Sequence, residues 1–283
     1  MLRLDDIEFT YNKKGLPALS GVSAEIHPGI HLLAGENGAG KTTLLRLISG
    51  LGTPSHGQCE INGVKVTSDC PSEMGRTFIL EENMFFPGKN IRGFAKTHSI
   101  FYPKFSNELF ESNLSAFGLT GEEDFKSLSL GNRKKSQLAY ALALGVDVLL
   151  LDEPTNALDI QSREVLRRLL AASVREDQTV IVATHTVSEL ENIYDGIMIL
   201  SKSCLLYAGT EGEIADRLSF AVTRFPDSES LYSEIQVGRV LSIYPSEPDN
   251  PTKIDWRLLY SSLYSPRRDA ILKVLHSPKI DLK

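Results

Sequence analysis

Two stretches of the chain carry side chains whose types and spacing suit phosphate chemistry. Gly35-Glu36-Asn37-Gly38-Ala39-Gly40-Lys41-Thr42, with Thr43 after it, fits the pattern G-x-x-x-x-G-K-[ST]. Its glycines permit a tight curl in which successive backbone N–H groups converge on phosphate oxygens. Lys41 brings an ammonium to the β- and γ-phosphates of a nucleotide, and Thr42 a hydroxyl ligand for Mg²⁺. Downstream, Val146–Leu151 is strongly apolar and runs into Asp152-Glu153-Pro154. A buried strand that ends in acids delivers carboxylates to the mouth of a parallel sheet, where such folds bind ligands. Asp152 is placed there to hold Mg²⁺ through water, and Glu153 to polarise an attacking water. Plainer readings exist: a glycine-rich turn with a chance lysine, or two acids welcome at a helix N-terminus. The presence of both stretches in one chain, the first set between a strand and a helix, favours nucleotide binding.

Those groups need elements to position them. Ile30–Ala34 is a continuous apolar run, as a buried strand would be, and it stops at Gly35. From Lys41 the pattern turns helical through Leu44, Leu45 and Ile48, with Gly50 as a stop. Leu2–Ile7 and Val22–Ile26 alternate apolar with polar residues and read as half-buried strands of an N-terminal β region. Val146–Leu151 and Thr179–Ala183 read as buried parallel strands joined by an amphipathic helix over Ser162–Val174. Residues 87–130, with the amphipathic stretch Asn107–Phe117, read as a helical insert. Beyond residue 215, Pro226, Pro245, Pro248 and Pro251 punctuate the chain, and a helical stretch Trp256–Leu263 precedes Pro266. Arg133-Lys134-Lys135 reads as a solvated basic face.

Composition narrows the function classes. The chain has 283 residues, 42% hydrophobic, with 30 Lys+Arg against 36 Asp+Glu and a net charge of −6. That balance argues against charge-driven nucleic-acid binding, and the length allows a core without disulfide or metal staples. Cys59, Cys70 and Cys204 form neither a disulfide framework nor a zinc pattern. The N-terminus lacks the apolar core of a signal peptide, and no apolar run approaches the roughly 20 residues of a membrane helix. The expectation is a cytoplasmic chain, held at a membrane, if at all, by something else.

Four further motifs, in order, resemble those of the ATP-binding cassette family. Leu128-Ser129-Leu130-Gly131-Asn132 resembles its LSGGQ signature, Asn156-Ala157-Leu158-Asp159 its D-loop, and Thr184-His185 its switch histidine, while Tyr11 matches the aromatic that stacks on adenine. The resemblance spans residues 1–215. With the element pattern it implies an α/β fold: a P-loop NTPase core with a mixed sheet, an N-terminal antiparallel β subdomain and a helical insert, followed by a small C-terminal appendage over 216–283. It implies an ATPase with ATP and Mg²⁺ as ligands, and Glu153 and His185 as catalytic residues. Tyr11, Gly35 to Thr43, Glu81, Ser129, Gly131 and Asp159 would meet nucleotide, and Thr42, Glu81 and Asp152 the metal. In the family, Ser129 and Gly131 would act on ATP held by the opposite subunit of a head-to-tail homodimer or heterodimer. A separate transmembrane permease would be the partner, placing the chain at the cytoplasmic face, and nucleic acid would not be.

Departures from the family pattern carry information. Glu81, six residues before Pro87, stands where the family has glutamine; Leu130 and Asn132 replace a glycine and a glutamine of the signature. The LSLGN form, with the segments Asp255–Tyr260 and Ala270–Leu275, looks more like the cassettes of drug and peptide exporters than those of importers. A carboxylate at Glu81 also keeps open a regulatory or soluble cassette with weak hydrolysis. A kinase is disfavoured by the signature and His185, and a GTPase by the lack of an N-K-x-D tetrad.

Overall fold

The computed structural model describes residues 1–12, 15–67, 75–190, 192–246 and 252–277; Cys70, Pro248 and Pro251 lie outside them. The first part contains β1 (Leu2–Phe9), β2 (Leu19–Ile26), β3 (Gly29–Gly35), α1 (Lys41–Ile48), β4 (His56–Ile61), β5 (Val64–Lys65) and β6 (Thr77–Leu80). The middle carries α2 (Ile91–His98), α3 (Asn107–Ala116), α4 (Leu130–Leu142), β7 (Val148–Asp152), α5 (Ile160–Ser173) and β8 (Thr179–Thr184). The last part has β9 (Gly196–Ser201), β10 (Cys204–Thr210), α6 (Glu211–Ala215), β11 (Leu218–Thr223), β12 (Tyr232–Gln236), β13 (Arg239–Pro245), α7 (Trp256–Leu263) and α8 (Arg268–Leu275).

The central sheet has the order β10-β9-β3-β8-β7-β6, parallel from β6 to β9 with β10 antiparallel at one edge. This is the mixed sheet expected. Its inner strands are apolar on both faces because both faces are covered. Leu32, Leu149, Leu151 and Val182 point into a core shared with α4 and α5. Leu33, Val148, Leu150 and Ile181 point the other way, against α1 and the N-terminal sheet. That sheet, β2-β1-β4-β5, is antiparallel, and its strands alternate because one face meets solvent. The parallel register brings the carboxyl ends of β3, β7 and β8 to one edge, where Gly35, Asp152 and Thr184 end their strands.

The insert holds α2 and α3, capped by Asn90 and Ser106, whose side chains accept from Gly93 N and Leu109 N. The last part is more ordered than its prolines suggest. Strands β11, β13 and β12 form an antiparallel sheet, and α7 covers Trp256–Leu263. Ile243, Trp256, Leu259 and Ile271 are buried in the same core as α4 and β7, with Trp256 edge-on to Tyr194 at 6.2 Å. No helix among the described residues is long and apolar enough to cross a membrane.

Candidate functional site

The glycine-rich turn joins β3 to α1. Gly40 is the helix N-cap with φ 107°, and no side chain caps the first turn. Its N–H groups therefore point into the turn, where the helix dipole favours an anion. Two glycines are sterically required: a Cβ at Gly40 would lie 2.6 Å from Ala18 O, and one at Gly35 2.8 Å from Leu200 O. Lys41 Nζ folds back over the turn, donating to Gly35 O at 2.7 Å and Glu36 O at 3.3 Å. Burial pulls the Lys41 pKa below its ordinary value, against the attraction of Glu153 and Asp152.

The acids arrive from β7. Thr42 Oγ1 donates to Asp152 Oδ2 at 2.7 Å, so the hydroxyl and carboxylate already share one point at the helix start. Burial raises the Asp152 pKa; the Thr42 bond opposes it, and Glu153 adds repulsion. Glu153 is buried with φ 44°, a left-handed backbone that a non-glycine adopts at a cost of roughly 1–3 kcal/mol. Its carboxylate accepts from three donors on the end of β8: Thr184 Oγ1 to Oε2 at 3.0 Å, and His185 N (3.1 Å) and Nδ1 (2.8 Å) to Oε1. Because a carboxylate only accepts, the His185 proton on that side sits on Nδ1.

These groups line one open cleft of about 410 Å³. Tyr11, Asn37, Gly38, Gly40, Lys41, Thr42 and Thr43 form one wall, and Asp152, Glu153 and His185 face them. Tyr11 stands at the mouth, 61% exposed, with its hydroxyl 2.9 Å from Thr43 Oγ1. Gly35, Glu36 and Ala39 shape the turn without lining the cleft. Ser129, Gly131 and Asp159 lie away from it. Ser129 is exposed and caps α4, its Oγ accepting from Asn132 N; Gly131 packs under the D-loop, where a Cβ would meet Ala157 O at 2.7 Å. Asp159 caps α5 through Ser162 N and Oγ, both at 2.7 Å, and these bonds lower its pKa.

Two expectations need correction. Glu81 does not reach the cleft: its carboxylate takes Arg46 in a bidentate pair, Nε to Oε1 at 2.6 Å and Nη2 to Oε2 at 3.0 Å. The charge-assisted fork holds Glu81 on the α1 side, and its neighbour Glu82 faces the cleft instead, with Asn156 Nδ2 donating to Glu82 Oε1 at 2.6 Å. The basic run is not a solvated face either. Lys134 is 4% exposed, Arg133 donates to Phe125 O, and Lys135 pairs with Asp159 at 3.5 Å. The sequence signal for Glu82 was the doubled acid after β6; the choice between the two needed the fork to Arg46.

The donor set suits a nucleoside triphosphate with Mg²⁺. Backbone N–H groups and one ammonium face an anion, and the Thr42–Asp152 pair offers the hard oxygens a small divalent cation takes.

The chain is similar to known proteins. The profile of a family described as ABC transporter matches residues 19–156. The sulfate/thiosulfate import ATP-binding protein CysA of Pseudomonas syringae pv. tomato is 31% identical over 220 residues, covering 74% of this chain and 67% of that protein. The ATP-binding cassette sub-family A member 17 of Mus musculus is 32% identical over 208 residues, 68% of this chain, which spans only 12% of that protein's length. Among solved structures, a dimeric post-hydrolysis state of the ATP-binding cassette MJ0796 bound to ADP and Pi superposes with a TM-score of 0.65 at 23% identity, covering 74% of this chain and 98% of that one. The glycine-rich turn, the acid pair and His185 gathered in one cleft, with these relatives, identify the chain as a member of the ABC transporter family and its cleft as that of an ABC ATPase cassette.

Proposed function

We propose that the chain is the ATP-hydrolysing subunit that drives a separate membrane-spanning partner from the cytoplasmic face. The observation that carries this reading is the cleft that gathers Lys41, Thr42, Asp152, Glu153 and His185, while Ser129 is exposed and lines no part of it. Turn N–H groups and Lys41 bind the β- and γ-phosphates, Tyr11 stacks on adenine, and Thr42 and Asp152 are the residues that would hold Mg²⁺. That ion, when bound, neutralises charge on the phosphates. Glu153, oriented by Thr184 and His185, takes the proton of the attacking water, and His185 senses the γ-phosphate. Ser129 and Gly131, unable to reach their own cleft, act on the nucleotide of a second cassette, so that ATP closes a head-to-tail dimer.

Exporter duty for drug- or peptide-like cargo is supported by the LSLGN signature and the C-terminal segment. The import in the name of the Pseudomonas relative is that protein's own. The groove of about 410 Å³ lined by Leu51, Val64, Met84, His98 and Tyr102, with Phe85 exposed beside it, suits an apolar helix of the partner. A second reading, a cassette that hydrolyses ATP slowly and regulates, draws on Glu82, a third carboxylate at the cleft. Steady-state ATP hydrolysis, alone and with a co-purified membrane protein encoded nearby, tests both. Stimulation by the partner supports the first reading; full activity without any partner counts against it.

A further inference from the structure

Lys134 lies in the first turns of α4, on the face turned from solvent. At 4% exposure it is a buried ammonium, and Nζ donates to the main-chain carbonyl of Glu82 at 3.3 Å. One helical turn on, Gln137 Nε2 donates to Met84 O at 2.8 Å. Two side chains of one helix face thus hold the segment that follows β6, while Asn156 holds the Glu82 carboxylate from the D-loop. Lys134 lines a cavity of about 360 Å³ with Glu82 and Asn156, and those two residues also line the phosphate cleft. Lys134 is therefore one shared wall, Glu82 and Asn156, away from the cleft.

Arg133 lines the same cavity, but the charges that act on Lys134 most are carboxylates. Glu82, Asp152 and Glu153 converge on the cleft, and each attracts the Lys134 ammonium. Three carboxylates facing a triphosphate repel it and one another, and in a partly desolvated site that repulsion is strong. Lys41 is already engaged with the turn carbonyls. Burial lowers the Lys134 pKa to about 8, with Glu82 the largest opposing influence, so Glu82 is the charge it feels most.

We propose that Lys134 is a positioning residue for ATP turnover: its buried ammonium holds the segment carrying Glu82 and balances the carboxylate that this chain places at the hydrolytic end of the cleft. Lys134 acts through Glu82 and touches no nucleotide. The inference rests on reading the cleft as an ATP-hydrolysing site.

The test is a cycle of wild type, Lys134→Gln, Glu82→Gln and the double variant. Glutamine at 134 can still donate to Glu82 O, so only the charge is removed. Turnover is measured at saturating Mg·ATP, and melting temperature without nucleotide. Lys134→Gln should lower turnover at least tenfold in the wild-type background, whereas in the Glu82→Gln background the same change should matter less than threefold. Glu82→Gln should lower the melting temperature more when Lys134 is present than when it is absent. An equal drop in both backgrounds, together with additive melting temperatures, reduces Lys134 to a packing residue and overturns the proposal. Coupled melting temperatures with no turnover by the wild type would leave the charge pairing standing and remove the hydrolytic reading instead. Should Lys134→Gln not fold, Lys134→Met removes both the charge and the bond to Glu82 O, and its coupling to Glu82→Gln in turnover and melting temperature is read by the same criteria.

Discussion

Glu153 holds an uncommon backbone conformation, and three donors from β8 fix its carboxylate at the cleft wall. Strain of this kind persists where neighbours over-determine a residue, which suits a base whose aim matters more than its comfort. Glu153→Gln preserves shape and removes the carboxylate proposed to accept the water proton. Hydrolysis should fall by about 10²–10⁴ while equilibrium binding of a fluorescent ATP analogue stays within a few-fold. Hydrolysis at the wild-type rate would show that another group is the base. Lys134 also costs stability. Its pKa of about 8, against 10.5 for an ordinary lysine, means the folded chain holds fewer protons than the unfolded one between those values. Stability therefore rises with pH across that window, and below about pH 8 the cost of burying the charge, of order 3 kcal/mol, is fully present. Lys134→Met should raise the melting temperature of the nucleotide-free protein at pH 7, with the gain shrinking toward pH 10.5. A gain that is flat over that range would contradict the assignment. Loss of turnover with gain of stability is the usual exchange at a functional site.

At the scale of elements, α7 ties the C-terminal part to the cassette. Asp255 caps it by accepting from Leu258 N. Trp256, Leu259 and Leu263 enter the main core, and the Tyr264 hydroxyl just past its end donates to Leu200 O at 2.6 Å. Leu200 is the register partner of Gly35, so this bond sits behind the first residue of the phosphate turn. The last segment is thus built into the packing. Trp256→Ala should cost about 3–5 kcal/mol, read as a shift of a single urea transition rather than early melting of a separate unit. Two resolved transitions would mean that 216–283 folds on its own.

For the whole molecule, the central sheet divides two cores and aims the carboxyl ends of β3, β7 and β8 at one edge. Ser129 lies off that edge, exposed at the start of α4. Ser129→Arg should leave ATP binding by the isolated chain intact and block hydrolysis, because in the proposed head-to-tail dimer the serine serves a second copy. Mixing it with Lys41→Ala, which removes the turn's point charge, rebuilds at most one composite site per dimer: a wild-type turn facing a wild-type signature. Recovery of part of the activity in the mixture, absent from either variant alone, is the expected outcome. Loss of ATP binding by monomeric Ser129→Arg would refute an action in trans.

Local spacing alone determined much of this protein. The glycine-rich turn, the acid pair, and several of the elements that carry them were legible because glycine conformation, strand burial and helical periodicity act over a few residues: the expected Ile30–Ala34 strand extends by one residue at each end, and the C-terminal helix covers Trp256–Leu263 as read, whereas the strands His56–Ile61, Gly196–Ser201 and Cys204–Thr210 were not read. The strands at 218–245 were not legible, since short half-exposed segments interrupted by turns carry little periodic signal. Adjacency across the chain was decided only by the tertiary structure. Glu81 and Glu82 are equivalent as sequence; Arg46 on α1 takes one, and Asn156 with Lys134 holds the other. Lys134, placed among three basic residues, looks solvated until α4 turns that face inward. Its charge acquires meaning from carboxylates far away in the chain, because electrostatic energy depends on distance and burial, which sequence neighbours do not set.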